Sequence, residues 1–384
     1  MLVLLPNFKL KMRKYNLTIT IVFLITAVIS STIILSSCTK DRDLISAEYI
    51  DKIRLGKLLF NDKNFSNPIG QSCSSCHSTS TGFSDLNHSI VSEGAANGLF
   101  GNRNAPNIAY GMFAPPLYFD NVDSTFVGGF FLDGRVNTLE EQSQKPFLNP
   151  LEMNNTNVQM LIGKIKEASY YSLYRQVYGE ATDNSTAFNN LADAIASFEK
   201  SPDLNPFTSK YDYYLKGQAT LTTQELRGMQ LFNDTAKGKC ANCHISDADA
   251  LSGKVLFTDF TYDNIGVPKN MSNPFYTIPA TFNPLGSNAV DYGLGGFLND
   301  PDNYGRFKVP TLRNASISAP YFHNGFYNTL EEVVHFYNKR DVEPFPAAEI
   351  SSTVNHDELG DLHLTTQEEK DIVTFIKTLT DGFK

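Results

Sequence analysis

The sequence predicts a mainly α fold, two helical modules joined by long irregular stretches. Three observations predict it. The run Cys73-Ser74-Ser75-Cys76-His77 returns as Cys240-Ala241-Asn242-Cys243-His244, and Leu59-Phe60-Asn61-Asp62 before the first copy returns as Leu231-Phe232-Asn233-Asp234 before the second. A module of the chain is therefore duplicated. Apolar residues recur at helical spacing in several segments, and no segment of useful length alternates in the manner of a strand.

At 384 residues the chain is long enough for two domains, each with a core of its own. The net charge of −9 gives no sign of a nucleic-acid partner and suits a soluble partner or a basic redox carrier. There is no tryptophan, while tyrosine and phenylalanine are plentiful.

Taken in order, Lys9, Lys11, Arg13 and Lys14 precede an apolar run from Leu17 to Leu35 that closes in Leu35-Ser36-Ser37-Cys38. This resembles a bacterial lipoprotein signal over residues 1–38, cut before Cys38, whose thiol then carries lipid. The alternative is an uncleaved anchor helix, since the run could just span a membrane. Either way the remainder is exported, periplasmic or in the cell envelope, on a membrane tether; Met12 would serve as an alternative start. Residues 39–47 read as a leash. Ile50, Ile53, Leu58 and Leu59 then place a short amphipathic helix over 50–60.

That helix delivers the first Cys-x-x-Cys-His run, the attachment signal for c-type haem. Its two thiols add across the haem vinyl groups, and the adjoining histidine ligates the iron. Two alternatives fit less well. Zinc pairs lie tens of residues apart rather than over a hundred and fifty, and a thioredoxin-like pair needs a strand-to-helix setting. Four of the five cysteines are used this way, leaving Cys38 and no structural disulfide.

Residues 78–130, rich in Gly, Asn, Ser and Pro, read as a long loop wrapping the first haem. Phe188, Leu191, Ile195 and Phe198 predict a helix over 186–200, which Ser201-Pro202 to Pro206 ends as a domain boundary. Thr222-Thr223-Gln224-Glu225 is a capping box opening the helix before the second haem run. Residues 246–308 read as irregular. Leu330, Val333, Val334 and Tyr337 share one helix face, and a last helix opens at Thr365 or Thr366 and buries Ile372, Phe375, Ile376 and Leu379.

Several stretches in register carry a family resemblance: GNRNAPNIAYG (101–111), FFLDGRVNTLEEQ (130–142), NPLEM (149–153), FTDFTYDNIGVP (257–268) and FKVPTLRN…APYFHNGFYNTLEEVVHFY (307–337). With the two haem runs and their lead-ins they cover nearly everything from residue 50 onward. The chain resembles the bacterial di-haem cytochrome c peroxidase superfamily, which includes the MauG-type oxidases. The resemblance implies two cytochrome-c-like helical haem domains with long irregular loops and a calcium ion between them. It implies an N-terminal peroxidatic haem domain over 39–205 and a C-terminal electron-accepting haem domain over 206–345. A tail and helix follow over 346–384, and their return onto the N-terminal domain is left open.

By the same resemblance His77 and His244 are the proximal iron ligands, Glu152 is the acid/base that moves peroxide's proton, Gln142 the distal glutamine, and Pro146 lines the distal pocket. The family's distal histidine falls on Glu93; His88 lies nearby out of register and reads as an exposed histidine, so the first haem is expected to be open. Tyr337 takes the place of the second haem's methionine ligand, a MauG-type substitution. A phenolate favours oxidised iron where a thioether favours reduced iron. As plain residues, Glu152 is a carboxylate after a turn and Tyr337 a core tyrosine. His335 is expected in solvent and His323 as a hydrogen-bonding support. The calcium ligands fall on Asn104 and on the carbonyls of Ser318 and Pro320, oxygen donors suited to a hard ion. Leu132 stands where the family has a tryptophan between the haems, leaving direct transfer, Phe131, Tyr110 or another tyrosine as routes.

Three functions remain in view. The foremost is an enzyme reducing hydrogen peroxide with electrons from a small cytochrome or cupredoxin. The second is a MauG-like oxidase of a partner protein, favoured by Tyr337 and opposed by Leu132. The third is a non-enzymatic electron-transfer protein, opposed by Glu152 and Gln142, because a carrier needs no acid/base group. A homodimer is compatible with the family.

Overall fold

The computed structural model describes residues 46–384. Cys38 and the rest of the expected signal lie outside them. Among the described residues no helix is long and apolar enough to cross a membrane. Residues 48–384 form one compact unit.

Helix α1 (Ala47–Asn61) leads to the first haem run, whose Cys73–Cys76 forms the single turn α2. Helices α3 (Leu139–Leu148), α4 (Val158–Glu167), α5 (Tyr171–Tyr178) and α6 (Asn184–Glu199) follow. After α7 (Lys210–Leu215), α8 (Thr223–Asn233) leads to the second run, then come α9 (Gly293–Leu298), α10 (Leu330–Lys339) and α11 (Thr366–Lys377). The only sheets among the described residues are two short antiparallel pairs: β1 (Tyr118–Asp120) with β2 (Thr125–Val127), and β3 (Tyr262–Asp263) with β4 (Phe307–Lys308). The mainly α class holds.

Side-chain caps decide where the helices start. Thr138, Asn157, Asp183, Thr222, Thr329 and Thr365 each accept a backbone N–H from the first turn, satisfying a donor that has no partner within the helix. At Thr222, Thr329 and Thr365 a glutamate returns the bond as a full capping box.

Beside a small apolar cluster of Phe130, Val136, Leu139 and Ala196, two large ones form. One draws on Leu55, Leu59, Phe60, Leu161, Ile165, Leu191, Ile195 and Leu204, the other on Tyr211, Phe232, Phe257, Val334, Ile372, Phe375 and Leu379. Each is built on the same helix crossing. A Cβ at Gly56 would lie 1.9 Å from the Ala194 carbonyl oxygen, and one at Gly228 would lie 1.9 Å from that of Asp371. Only glycine lets the helices approach so closely. Beside the crossing, Phe60 meets Phe198 edge-on at 5.3 Å, and Phe232 meets Phe375 at 5.2 Å. Across the next helix pair, Lys200 bonds Glu140 and Lys377 bonds Glu331. The duplication seen in the haem runs therefore extends to α1/α8, α3/α10 and α6/α11.

The last helix consequently packs on α8 in the second cluster. Gly228 and the Phe232–Phe375 contact hold it there. Four residues beyond its end, Asp381 reaches across, accepting a bond from Tyr110.

The stretch 246–308 is ordered by side chains rather than by backbone ladders. Asn264, Asn270, Asn273 and Asn283 are buried and their amides donate to main-chain carbonyls, at Ile350, at Asn324 and Gly325, at Asn102, and at Phe275 and Gly286. Buried asparagines here satisfy carbonyls that a helix or sheet would otherwise satisfy.

Candidate active site

Each Cys-x-x-Cys-His run opens onto its own cavity, of about 290 Å³ for the first and 270 Å³ for the second. All four cysteines are free thiols, and Cys73, Cys76 and His77 line the first cavity as Cys240, Cys243 and His244 line the second. Burial pushes the Cys73 and Cys240 thiols up to about 12, so both stay protonated. His77 Nδ1 bonds the Phe83 carbonyl at 3.1 Å and His244 Nδ1 that of Phe257 at 3.1 Å. Burial lowers the pKa of both imidazoles, to about 4 for His244, which keeps them neutral. A neutral ring fixed through Nδ1 offers Nε2 as a metal ligand.

On the wall of the first cavity α3 presents Gln142 and, one turn on, Pro146. Glu152 joins them from the turn after α3. Its Oε1 accepts the Asn149 amide at 2.7 Å, while Asn149 Oδ1 accepts the Leu151 N–H at 3.0 Å. Burial raises the Glu152 pKa, and the Asn149 bond and the Arg135 charge oppose the rise. His77 is the one histidine on this wall. Glu93 lies at its edge, its carboxylate occupied by the Gly98 N–H at 2.6 Å. His88 is exposed and bonds the Ala319 carbonyl at 2.8 Å.

On the wall of the second cavity α10 presents Val333, Val334 and Tyr337. The duplication explains the choice of residue. Thr138-Leu139-Glu140-Glu141 and Thr329-Leu330-Glu331-Glu332 start α3 and α10, and counting on from them pairs Gln142 with Val333 and Pro146 with Tyr337. The same helix face thus carries a group without a ligand atom at one site and a phenol at the other. His323 is buried, stacked on Phe307 at 3.7 Å, and its Nε2 has no hydrogen-bond partner among the described residues. His335 keeps 41% of its side chain exposed, and where α10 packs on α11 its ring bonds Glu369 at 3.0 Å and Glu343 at 3.2 Å. Asn104, Ser318 and Pro320 come together on this cavity's wall, with the Asn104 amide donating to the Ser89 and Ile90 carbonyls.

The two cavities share a wall. Asn104, Pro106, Asn107, Leu132 and residues 308–311 line both. The Lys308 N–H donates to the Leu132 carbonyl at 2.9 Å, which fixes Leu132 in that wall. Phe131 and Tyr110 line only the first cavity.

These features have close counterparts among known proteins. The family described as di-haem cytochrome c peroxidase matches residues 50–220. The methylamine utilization protein MauG of Paracoccus denitrificans is 31% identical over 85% of this chain and 88% of its own length. The chain belongs to the di-haem cytochrome c peroxidase family. The cytochrome c551 peroxidase of Nitrosomonas europaea is 30% identical over 88% of this chain and 82% of that protein. Among solved structures, the diheme peroxidase BthA of Burkholderia thailandensis superposes with a TM-score of 0.76, at 31% identity over 86% of each chain.

Membership gives each run one c-type haem, and the residues present fit it: paired free thiols, a neutral histidine held through Nδ1, and a mostly apolar cavity beside them. Sequence reasoning missed several groups around these cavities. Arg103, on the first cavity, makes a bidentate pair with Asp291 of the second, both bonds at 2.7 Å, and a third bond to Asp133. Glu199 is buried on the first cavity, and burial followed by the nearby Glu140 charge raises its carboxyl to about 8. The helical spacing of Phe188, Leu191, Ile195 and Phe198 was a usable signal there, since Glu199 follows Phe198 on a buried helix end.

Proposed function

We propose that this protein is a peroxidase that reduces hydrogen peroxide to water at its first haem, with electrons from a small redox protein entering through the second. The observation that carries the reading is Glu152 beside Gln142 on a cavity whose single histidine is His77. A haem held there by Cys73, Cys76 and His77 supplies the redox chemistry of O–O cleavage. Glu152 takes the proton of peroxide's inner oxygen and returns it to the outer one, so it starts ionised. Burial raises its pKa and favours the acid, while the Asn149 donor and the Arg135 charge act against that rise and favour the ionised form. Gln142 orients the bound peroxide. Pro146 offers no ligand atom, which leaves a coordination place free.

At the second site Cys240, Cys243 and His244 would hold the haem, and Tyr337 on the same cavity would supply a phenol oxygen, a donor that favours oxidised iron. The shared wall at Leu132 and residues 308–311 would stand between the two haems, so electrons passing from one to the other would cross it. Asn104 with the Ser318 and Pro320 carbonyls takes a calcium ion that fixes this geometry. Lipid on Cys38 would tether the exported protein to a membrane, and a homodimer is the proposed assembly.

A MauG-like oxidation of a partner protein is the second reading, and Tyr337 is the observation that favours it. The deciding experiment is steady-state peroxide reduction with reduced small cytochromes or cupredoxins as donor. Turnover that Glu152→Gln abolishes supports the peroxidase. Free electron exchange with the donor and no peroxide consumption contradicts it.

A further inference from the structure

Tyr110 is the one tyrosine among the described residues on the first cavity's wall. It is 2% exposed and sits in the left-handed region, φ 64°, a conformation uncommon for an aromatic residue. Its hydroxyl donates to Asp381 Oδ2 at 2.6 Å and accepts the Phe207 N–H at 3.2 Å. The Asp381 carboxylate is held from other sides as well. Oδ1 accepts the Thr208 N–H at 2.9 Å and its hydroxyl at 3.3 Å, and Oδ2 accepts the Asn314 amide at 3.0 Å. Asn314 is the second module's counterpart of Tyr110, also left-handed at φ 62° and at the start of the same turn. Asp381 therefore joins the two equivalent places across a separation of 271 residues from Tyr110.

A phenol next to a strong oxidant can be oxidised only if its proton has somewhere to go, because the protonated radical cation is a strong acid and its charge is costly in a buried place. Burial keeps the Tyr110 phenol protonated. Asp381 supplies a carboxylate at short hydrogen-bond distance, so electron loss and proton transfer leave both groups neutral. Other tyrosine–carboxylate pairs occur at Tyr170–Asp62 and Tyr178–Asp193, but neither tyrosine borders a haem cavity. A further path leads on from Tyr110. The Arg313 guanidinium lies 4.9 Å from its ring and 5.9 Å from that of Phe257, whose carbonyl accepts His244 Nδ1.

We propose that Tyr110 is a redox-active tyrosine that holds one oxidising equivalent of peroxide, with Asp381 as acceptor of its proton. The proposal rests on the first cavity being the peroxide site. Hydrogen peroxide takes two electrons as its O–O bond breaks. Its own inner proton, moved by Glu152, leaves with the outer oxygen as one water, and the inner oxygen leaves as the second water once the donor's electrons arrive with two protons from solvent. Tyr110 supplies one of the electrons and the first haem site the other. The Tyr110 O–H bond breaks and an O–H bond forms at Asp381 Oδ2. The donor redox protein later returns the electron, and Asp381 returns the proton.

The test is rapid-freeze paramagnetic resonance of the oxidised holoprotein mixed with hydrogen peroxide, without reductant. The expected result is an organic radical signal that narrows when the protein contains ring-deuterated tyrosine. It should be lost in Tyr110→Phe with haem content and the resting optical spectrum unchanged. Asp381→Asn keeps a hydrogen-bond acceptor but takes no proton, and it should also lose the signal, which covers the case in which Tyr110→Phe folds poorly. Peroxide consumption with no tyrosine radical, or a signal that persists in both variants, overturns the proposal and leaves the peroxidase reading intact. An oxidised holoprotein that never reacts with peroxide overturns both.

Discussion

The Asn149 side-chain amide holds the Glu152 carboxylate at 2.7 Å, and the bond ties the geometry of the first cavity to its pH dependence. Replacing Glu152 by glutamine keeps the shape and removes the base. Peroxide turnover should fall by about 10²–10⁴-fold, the usual worth of a positioned acid/base. Haem content and spectrum should not change. Retained turnover would show that Glu152 moves no proton.

Asn149→Leu gives a second, independent test. The amide bond lowers the raised Glu152 pKa, so its loss lets burial raise that pKa further. The ionised carboxylate is the active form and is lost as pH falls through the pKa. The acid limb of the pH–rate profile should therefore move to higher pH in the variant. A limb that stays in place would assign it to another group.

Tyr337→Phe should alter the spectrum of the second haem alone, and Tyr337→Met should raise that haem's potential in a redox titration. The pairing of Pro146 with Tyr337 on α3 and α10 sharpens the test, because Pro146→Tyr would place a phenol at the first cavity. Peroxide reactivity should then fall while the second haem is untouched.

The helix crossings predict stability effects of one kind at both modules. Gly56→Ala and Gly228→Ala each force a methyl to within 1.9 Å of a carbonyl oxygen. Each should cost about 3 kcal/mol or more, at or beyond the upper end for overpacking a core. Thermal unfolding of the holoprotein measures it, and equal losses are expected because the two crossings match.

Arg313 is fully buried and forms two bonds to Asp212, at 2.9 and 2.8 Å. Burial would raise the Asp212 pKa, but the Arg313 bonds and charge outweigh it and hold it below the ordinary carboxylate value. Its contribution is thus complete above the unfolded-state pKa and is lost as pH falls through the lower folded one. Asp212→Asn should cost about 3–5 kcal/mol at neutral pH by leaving a buried charge unpaired. Denaturant unfolding of wild type and variant should converge as the medium is made strongly acidic.

Much of this was legible in the sequence for local reasons. The haem runs carry their chemistry in five adjacent residues, and Thr222, Thr329 and Thr365 announce helix starts through a glutamate three residues on. Helix α4 passed unnoticed because its buried residues, Leu161, Ile162 and Ile165, span little more than one turn. Nothing near Asp381 points to Tyr110, and nothing near Asp212 to Arg313, because those pairings arise only when distant segments fold together. The buried asparagines of 246–308 read as loop residues, whereas their amides are what orders that loop. The placement of α11 followed from a glycine equivalence between α1 and α8 that becomes visible once the crossings are compared.

The most direct test of the central claim is stopped-flow absorption of the fully oxidised protein mixed with hydrogen peroxide and no reductant. An immediate change in the haem bands, absent in Glu152→Gln, is the predicted result, because no side chain other than His77 on the first cavity's wall is a histidine able to close the iron. A protein that stays inert until half-reduced would contradict that open site and would make a moving ligand, with His88 the first to examine, part of the mechanism.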